Sequence, residues 1–293
     1  MNSYLSVEEV IENYTPNYLA DGCHSVFTVN INNVELFYKP AYAQNSNSKF
    51  TSRVKAALHN VDVVLKQYFL SRDCFLDYVE NGNIDNHDYT LDIESKILSE
   101  WNKRGISSVS ILENQKKALV FKSLNAINYG KLLKQKDSDS HYEKLLNVIT
   151  SIRSAAKSEN NPLLLHPDLL PKNFLYCLDS NTAVAIDPGA KLRDKNLGEL
   201  DAKLNIRFLY SLYGFDRNEF YIDSFLNTLD RPEKKQLLQY NIPLDLDIYA
   251  YIELRNKLVY NIKTIRGNAP SSPFLSFSPK ITKDINKMIS RHL

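Results

Sequence analysis

The segment "LLLHPDLLPKNFLYCLDSNTAVAIDPGAKL", residues 163–192, holds residue types at a spacing that could do chemistry. His166, Asp168 and Asn173 stand as H-x-D-x-x-x-x-N, and Asp187 opens a "DPG" triplet after two apolar runs. If those runs pair as a hairpin across Asp179-Ser180-Asn181, Asn173 and Asp187 sit on neighbouring chain ends. One amide and two carboxylates then converge. Hard oxygen donors of this kind suit Mg²⁺, which keeps several waters and takes one or two carboxylates together with substrate phosphates. Metal-bound phosphate is the cargo such a cluster implies.

The elements that must position these residues can be read outward from the segment. "SVFTVNINNVELFYK", 25–39, is two β-rich runs about Asn32-Asn33, residues that tolerate the positive φ of a tight hairpin turn, with Lys39 near the end of the second strand. Residues 50–79 show a helical recurrence of apolar positions. "TLDIESKILSEWNKRG" reads as an amphipathic helix with Thr90 or Asp92 as N-cap, Gly105 as stop and Trp101 on its apolar side. "SVSIL" and "KALVFKSL" follow as short strands. After "NYGKLLKQ" the pattern turns to long helices, notably 140–158, "LDAKLNIRFLYSLYG", "NEFYIDSFLNTL" and "LDIYAYIELRNKLVYNIKTIRG", with a proline-marked tail at 270–279. A strand-rich front and a helix-rich back predict an α+β protein of two lobes. The expected division is 1–124 and 125–293, with the helix at 50–79 inserted in the first.

Composition sets limits on function. Lys and Arg total 36 against 34 Asp and Glu, a formal charge of +2, which argues against a dedicated nucleic-acid binder. Cys23, Cys74 and Cys177 are isolated, so neither a disulfide framework nor a zinc site is expected, and a reducing compartment is. No apolar run reaches membrane-spanning length and the start lacks the pattern of a signal peptide. The expectation is a cytoplasmic protein with no obligate protein partner.

The set "HPDLLPKN" plus "AIDPG" resembles the kinase-like phosphotransferase superfamily, in particular its aminoglycoside phosphotransferase and choline kinase branch. The likeness spans roughly residues 20–215 and keeps order outward: the hairpin with Lys39, the helix with Glu94, "RGISSVSIL" and the strand "ALVFKSL". It implies a protein-kinase-like fold with a small antiparallel-sheet lobe and a larger helical lobe. It further implies ATP and Mg²⁺ as cofactors, Asp168 as the group that accepts the acceptor's proton, and Asn173 and Asp187 as metal ligands. Lys39 would neutralise phosphate charge, oriented by Glu94, with Glu80 and Glu100 as competing partners. Gly22, His24 and Ser25 would cover the phosphates, the backbone of Phe121, Lys122 and Leu124 would meet adenine, and His166 would steady the loop.

The expected activity is transfer of the γ-phosphoryl group to a hydroxyl of a small molecule, whether sugar, aminoglycoside or amino alcohol. Arg255, Lys257, Lys263 and Arg266 in one predicted helix suit an anionic or neutral sugar better than a polycation. A glycan or lipopolysaccharide-core sugar kinase is therefore the alternative enzyme, and a catalytically inactive nucleotide-binding module the alternative class.

Overall fold

The computed structural model describes residues 4–18, 26–40, 91–115, 118–135, 138–188, 196–241 and 279–293. Gly22, His24, Ser25, Glu80, the helix expected at 50–79 and that expected at 246–267 lie outside the described residues.

The first part of the chain is an antiparallel sheet. Helix α1 (Val7–Asn13) starts from a capping box in which Ser6 Oγ accepts from the Glu9 N–H and the Glu9 carboxylate accepts from the Ser6 N–H. Strands β1 (Asn17–Tyr18), β2 (Phe27–Ile31) and β3 (Val34–Pro40) follow. Asn32 and Asn33, with φ of +53° and +65°, make the β2–β3 turn, so the left-handed turn expected from the sequence is present. Helix α2 (Leu91–Lys103) precedes β4 (Ile111–Gln115) and β5 (Ala118–Lys122), and the five strands lie in the order β1-β2-β3-β5-β4.

Alternation along the strands sorts side chains between the two faces of this sheet. Leu36, Tyr38 and Val120 join Phe27, Val29 and Val10 of α1 in a small core. Phe37, Leu119 and Phe121 turn the other way, into the large core that includes α2. Lys39 has the parity of Phe37. A cation at that position is thereby directed at α2.

Beyond Ser123–Asn125 the chain builds a second sheet and a helical body. Strand β6 (Ala126–Asn128) leads into the short helix α3 (Tyr129–Leu132) and the long helix α4 (Asp139–Ser158). Strands β7 (Phe174–Cys177) and β8 (Thr182–Ala185) form a hairpin whose turn ends at Asn181, φ +54°, and the order is β6-β7-β8. Helices α5 (Leu197–Tyr213), α6 (Asn218–Asn227), α7 (Arg231–Tyr240) and α8 (Pro279–Arg291) complete the described chain. Helix α5 is buried nearly all round, with Leu200, Leu204, Phe208 and Leu212 in the core, which marks it as the central helix of this part.

The two-lobed α+β arrangement expected from the sequence is what the fold shows. One strand was misplaced: "SVSIL" predicts pairing from Ser108, but the regular strand begins at Ile111, and Ser108 makes an isolated parallel bridge to Ala185. The Ala185 N–H takes the Ser107 carbonyl and the Val109 N–H takes the Ala185 carbonyl, so these residues serve the β7–β8 hairpin. No described helix is long and apolar enough to cross a membrane.

Candidate active site

The loop from His166 to Asn173 is fixed by its own hydrogen bonds. Leu169 and Leu170 are buried beneath it, and a 3₁₀ turn at Pro171–Asn173 brings it onto β7. The Asn173 carbonyl accepts from the Ile186 N–H at 3.0 Å, and Phe174 pairs with Ala185. Asn173 and the residue before Asp187 are thus direct neighbours across the hairpin mouth. The Asn173 Nδ2 group donates to the Asp168 carbonyl at 2.7 Å, which leaves its amide oxygen as the donor atom for a cation.

His166 ties the start of this loop to its far end. Its Nε2 lies 3.0 Å from the Ile186 carbonyl, and its Nδ1 accepts from the Asp168 N–H at 3.2 Å. A carbonyl can only accept and an amide N–H can only donate, so the ring is the neutral Nε2–H tautomer. Burial drives the same way, holding its pKa below the ordinary histidine value against the opposing pull of Asp168. The ring sits between Trp101 and Phe174, with centroids at 5.4 and 5.2 Å.

Three charges from three elements meet beside this loop. Lys39 Nζ lies 2.6 Å from Glu94 Oε2 and 2.7 Å from Asp187 Oδ1. Lys39 and Glu94 are 6% and 1% exposed, whereas the Asp187 side chain is 42% exposed. Burial alone would push the Lys39 pKa down, but the Asp187 and Glu94 carboxylates outweigh it and the ammonium is held above its ordinary value. It is a fixed positive charge. Asp187 itself has φ +57°, a left-handed conformation unusual for a residue with a side chain. That turn, one residue past Ile186, brings its carboxylate to Lys39.

The register of α2 decides between the acidic candidates on it. Leu91, Glu94, Leu98 and Trp101 share one buried stripe at helical spacing. Glu94 therefore occupies a position where an apolar residue would pack. Glu100 faces away and is bound 2.7 Å from both Lys103 and Arg104, which push its pKa down to about 2. Arg104 in turn forks onto Glu159. The structure pairs Lys39 with Glu94.

Asp168 has a partner that the sequence reading missed. It is buried, and its Oδ1 is in ion-pair contact with Nη2 of Arg207 on α5, itself 3% exposed. The signal was present in "LNIRFLY": a lone arginine inside an apolar helical run must find a buried counter-charge.

The residues assigned to adenine fall on the link between the two sheets. Phe121 and Lys122 pair with Phe37 and Leu36 in the β3–β5 ladder, the Ser123 N–H donates to the Glu35 carbonyl, and the Asn125 carbonyl accepts from Leu178. Leu124 lies between these two fixed residues with its side chain 39% exposed. The surface pocket at this link, lined by Glu35, Lys122, Ser123, Leu124, Asn125 and Asp179, contains none of Lys39, Asp168, Asn173 or Asp187. The ion pairs of Lys39, Glu94 and Asp187 lie apart from that concavity.

No family model matches the chain, and no curated protein matches it. Among solved structures, it is similar to a choline/ethanolamine kinase family protein from Mesorhizobium loti, with 12% identity, 97% of this chain and 93% of that chain covered, and a TM-score of 0.43. It is also similar to choline kinase LicA from Streptococcus pneumoniae, with 13% identity, 97% of both chains covered and a TM-score of 0.43.

Proposed function

We propose that this chain is a small-molecule kinase of the kinase-like phosphotransferase type, moving the γ-phosphoryl group of ATP to a hydroxyl group. The observation that carries the reading is the meeting of Lys39, Glu94 and Asp187 beside the loop that holds Asp168 and Asn173. A buried lysine whose charged form is favoured by two carboxylates, one of them partly exposed, is suited to a polyanion bound through a cation. In this reading residues 1–124 form the nucleotide lobe and 125–293 carry the catalytic loop and acceptor site, in the cytoplasm.

The donor set fits Mg²⁺. Asn173 offers an amide oxygen and Asp187 a solvent-facing carboxylate, both hard donors, and among the described residues no group of three or more His, Cys, Asp or Glu is assembled that would suit another metal. When bound, the ion would neutralise β- and γ-phosphate charge. Asp168 accepts the proton of the acceptor hydroxyl as its oxygen lone pair forms the new bond to the γ-phosphorus. The bond from that phosphorus to the β–γ bridging oxygen breaks, and ADP leaves with the bond's electron pair. Lys39 compensates phosphate charge, and Glu94 fixes the direction of its ammonium. His166 is neutral and moves no proton; it holds the loop to Ile186.

The acceptor is a sugar, aminoglycoside or amino alcohol, with a glycan-core sugar the nearest alternative. A screen of ADP release from Mg-ATP across these classes should return at least one acceptor. In that assay Asp168→Asn should lower kcat by roughly 10²- to 10⁴-fold while the KM for ATP stays nearly unchanged. Binding of Mg-ATP without turnover of any acceptor would instead indicate a nucleotide-binding module.

A further inference from the structure

We infer that Arg207 is a positioning residue for the transfer, acting through Asp168. The inference rests on the phosphotransferase reading and adds to it a residue from outside the loop motif. Asp168 is buried, and a buried carboxylate is costly to hold without a counter-charge beside it. The neutral His166 ring offers none, and Lys39 is directed to Glu94 and Asp187. Arg207 meets Asp168 Oδ1 from the central helix, which packs against the 3₁₀ turns at Pro162–Leu164, before the loop, and at Pro171–Asn173, at its end.

Two properties of this contact suit positioning. Guanidinium is planar and permanently charged, and its contact with Oδ1 limits where the Asp168 carboxylate can sit. Helix α5 is also anchored elsewhere: Asp201, one and a half turns before Arg207, forks with Arg153 of α4 at 2.9 Å on both oxygens. The cation is thus held by a rigid element and not by a loop. Held at Oδ1 from the helix, the carboxylate is kept at one place in the loop while the acceptor hydroxyl reacts.

The test uses the full chain, reading ADP release from Mg-ATP with the acceptor returned by the screen and, separately, with water alone. Arg207→Gln should lower kcat by about 10²-fold with the KM for ATP within about threefold of the parent. Arg207→Lys, which keeps the charge without the planar guanidinium, should recover about tenfold of that loss. In an Asp168→Asn background, Arg207→Gln should cause no further loss, because the group it acts through has gone. An equal loss in both backgrounds would overturn the inference. So would an Arg207→Lys enzyme no better than Arg207→Gln. Should Arg207→Gln fail to fold, Arg207→Lys decides alone: a kcat about tenfold down at parental melting temperature supports the role, and a parental kcat overturns it. A parent protein that neither releases ADP nor is stabilised by Mg-ATP sinks the phosphotransferase reading itself, and is told apart because no variant is involved.

Discussion

Two buried charge clusters in this molecule are built from the same residue types to different ends. In one, Lys39 of β3 meets Glu94 of α2 and Asp187 beyond β8. In the other, Arg153 of α4 forks onto Asp201 of α5, both Arg153 and Lys157 reach Glu233 of α7, and Lys157 lies 3.3 Å from Asp201. Among the described residues the second cluster is balanced, with two cations for two anions and Lys157 at its solvent edge, and Glu233 also caps α7 by accepting from the Asp230 N–H. Among the described residues the first has two carboxylates to one ammonium, and that of Asp187 opens to solvent. A balanced network holds helices together; a carboxylate that shares its ammonium and faces solvent leaves a place for a cation. Burial and access alone do not separate structure from chemistry; the sign of the charge that faces solvent does.

The largest effect expected from this contrast is on stability. Asp201→Ala should destabilise the fold by about 3–5 kcal/mol, because the Arg153 guanidinium loses its bidentate partner while remaining buried. Urea unfolding measures it, and the surviving folded fraction should still be stabilised by Mg-ATP. A loss under about 1 kcal/mol would mean that the balanced cluster is not the brace it is taken for.

Asp187→Ala should do the reverse. It leaves the Lys39–Glu94 pair in place, so the unfolding midpoint should change little, yet it removes the open carboxylate. Turnover should fall by roughly 10²- to 10³-fold, and the thermal stabilisation by Mg-ATP should largely vanish. A variant still stabilised by Mg-ATP as strongly as the parent would remove Asp187 from the metal site.

Much of this contrast was legible in the sequence wherever a local rule governs geometry. The Asn32-Asn33 turn, the β7–β8 hairpin and the helix at 139–158 follow from turn chemistry and periodicity, and they suffice to bring Asn173 next to Asp187. Two helices went unread despite a local signal, since Ser6-x-x-Glu9 and Asp230-x-x-Glu233 both form capping boxes. Helix α8 is amphipathic, with Ile285, Met288 and Ile289 buried, and was obscured by the proline-rich stretch before it. Arg207 was not legible as a partner of Asp168. The two are 39 positions apart on elements whose packing is a tertiary matter, and sequence spacing carries no information about it.

The pairing within the open cluster gives the next smaller effect. Lys39→Ala and Glu94→Ala should each lower kcat/KM, and the double variant should lose less than the sum, with a coupling of about 0.5–3 kcal/mol. Glu100→Ala should add independently to Lys39→Ala, because its carboxylate is bound to Lys103 and Arg104 on the opposite side of α2. Coupling of Lys39 with Glu100 in place of Glu94 would contradict the helix register.

The smallest effect concerns the neutral member of the site. Burial holds the His166 pKa below its ordinary value of 6.5, so the folded protein resists the proton that the unfolded chain accepts. The sign follows: the contribution is fully present above about pH 6.5 and is lost as pH falls from there toward the folded-state value. Within that window stability should drop by at most about 1.4 kcal/mol per pH unit from this group. Glu100 and Glu159, whose pKa values are lowered by Arg104 and its neighbours, act only below about pH 4.5, so the two ranges separate. His166→Gln cannot titrate but can still donate to the Ile186 carbonyl. Urea midpoints measured from pH 7 to pH 5 should therefore decline in the parent and stay nearly level in the variant. An equal decline in both would mean that the proton enters elsewhere, and that His166 is not the neutral clasp between the Asp168 loop and the Asp187 turn.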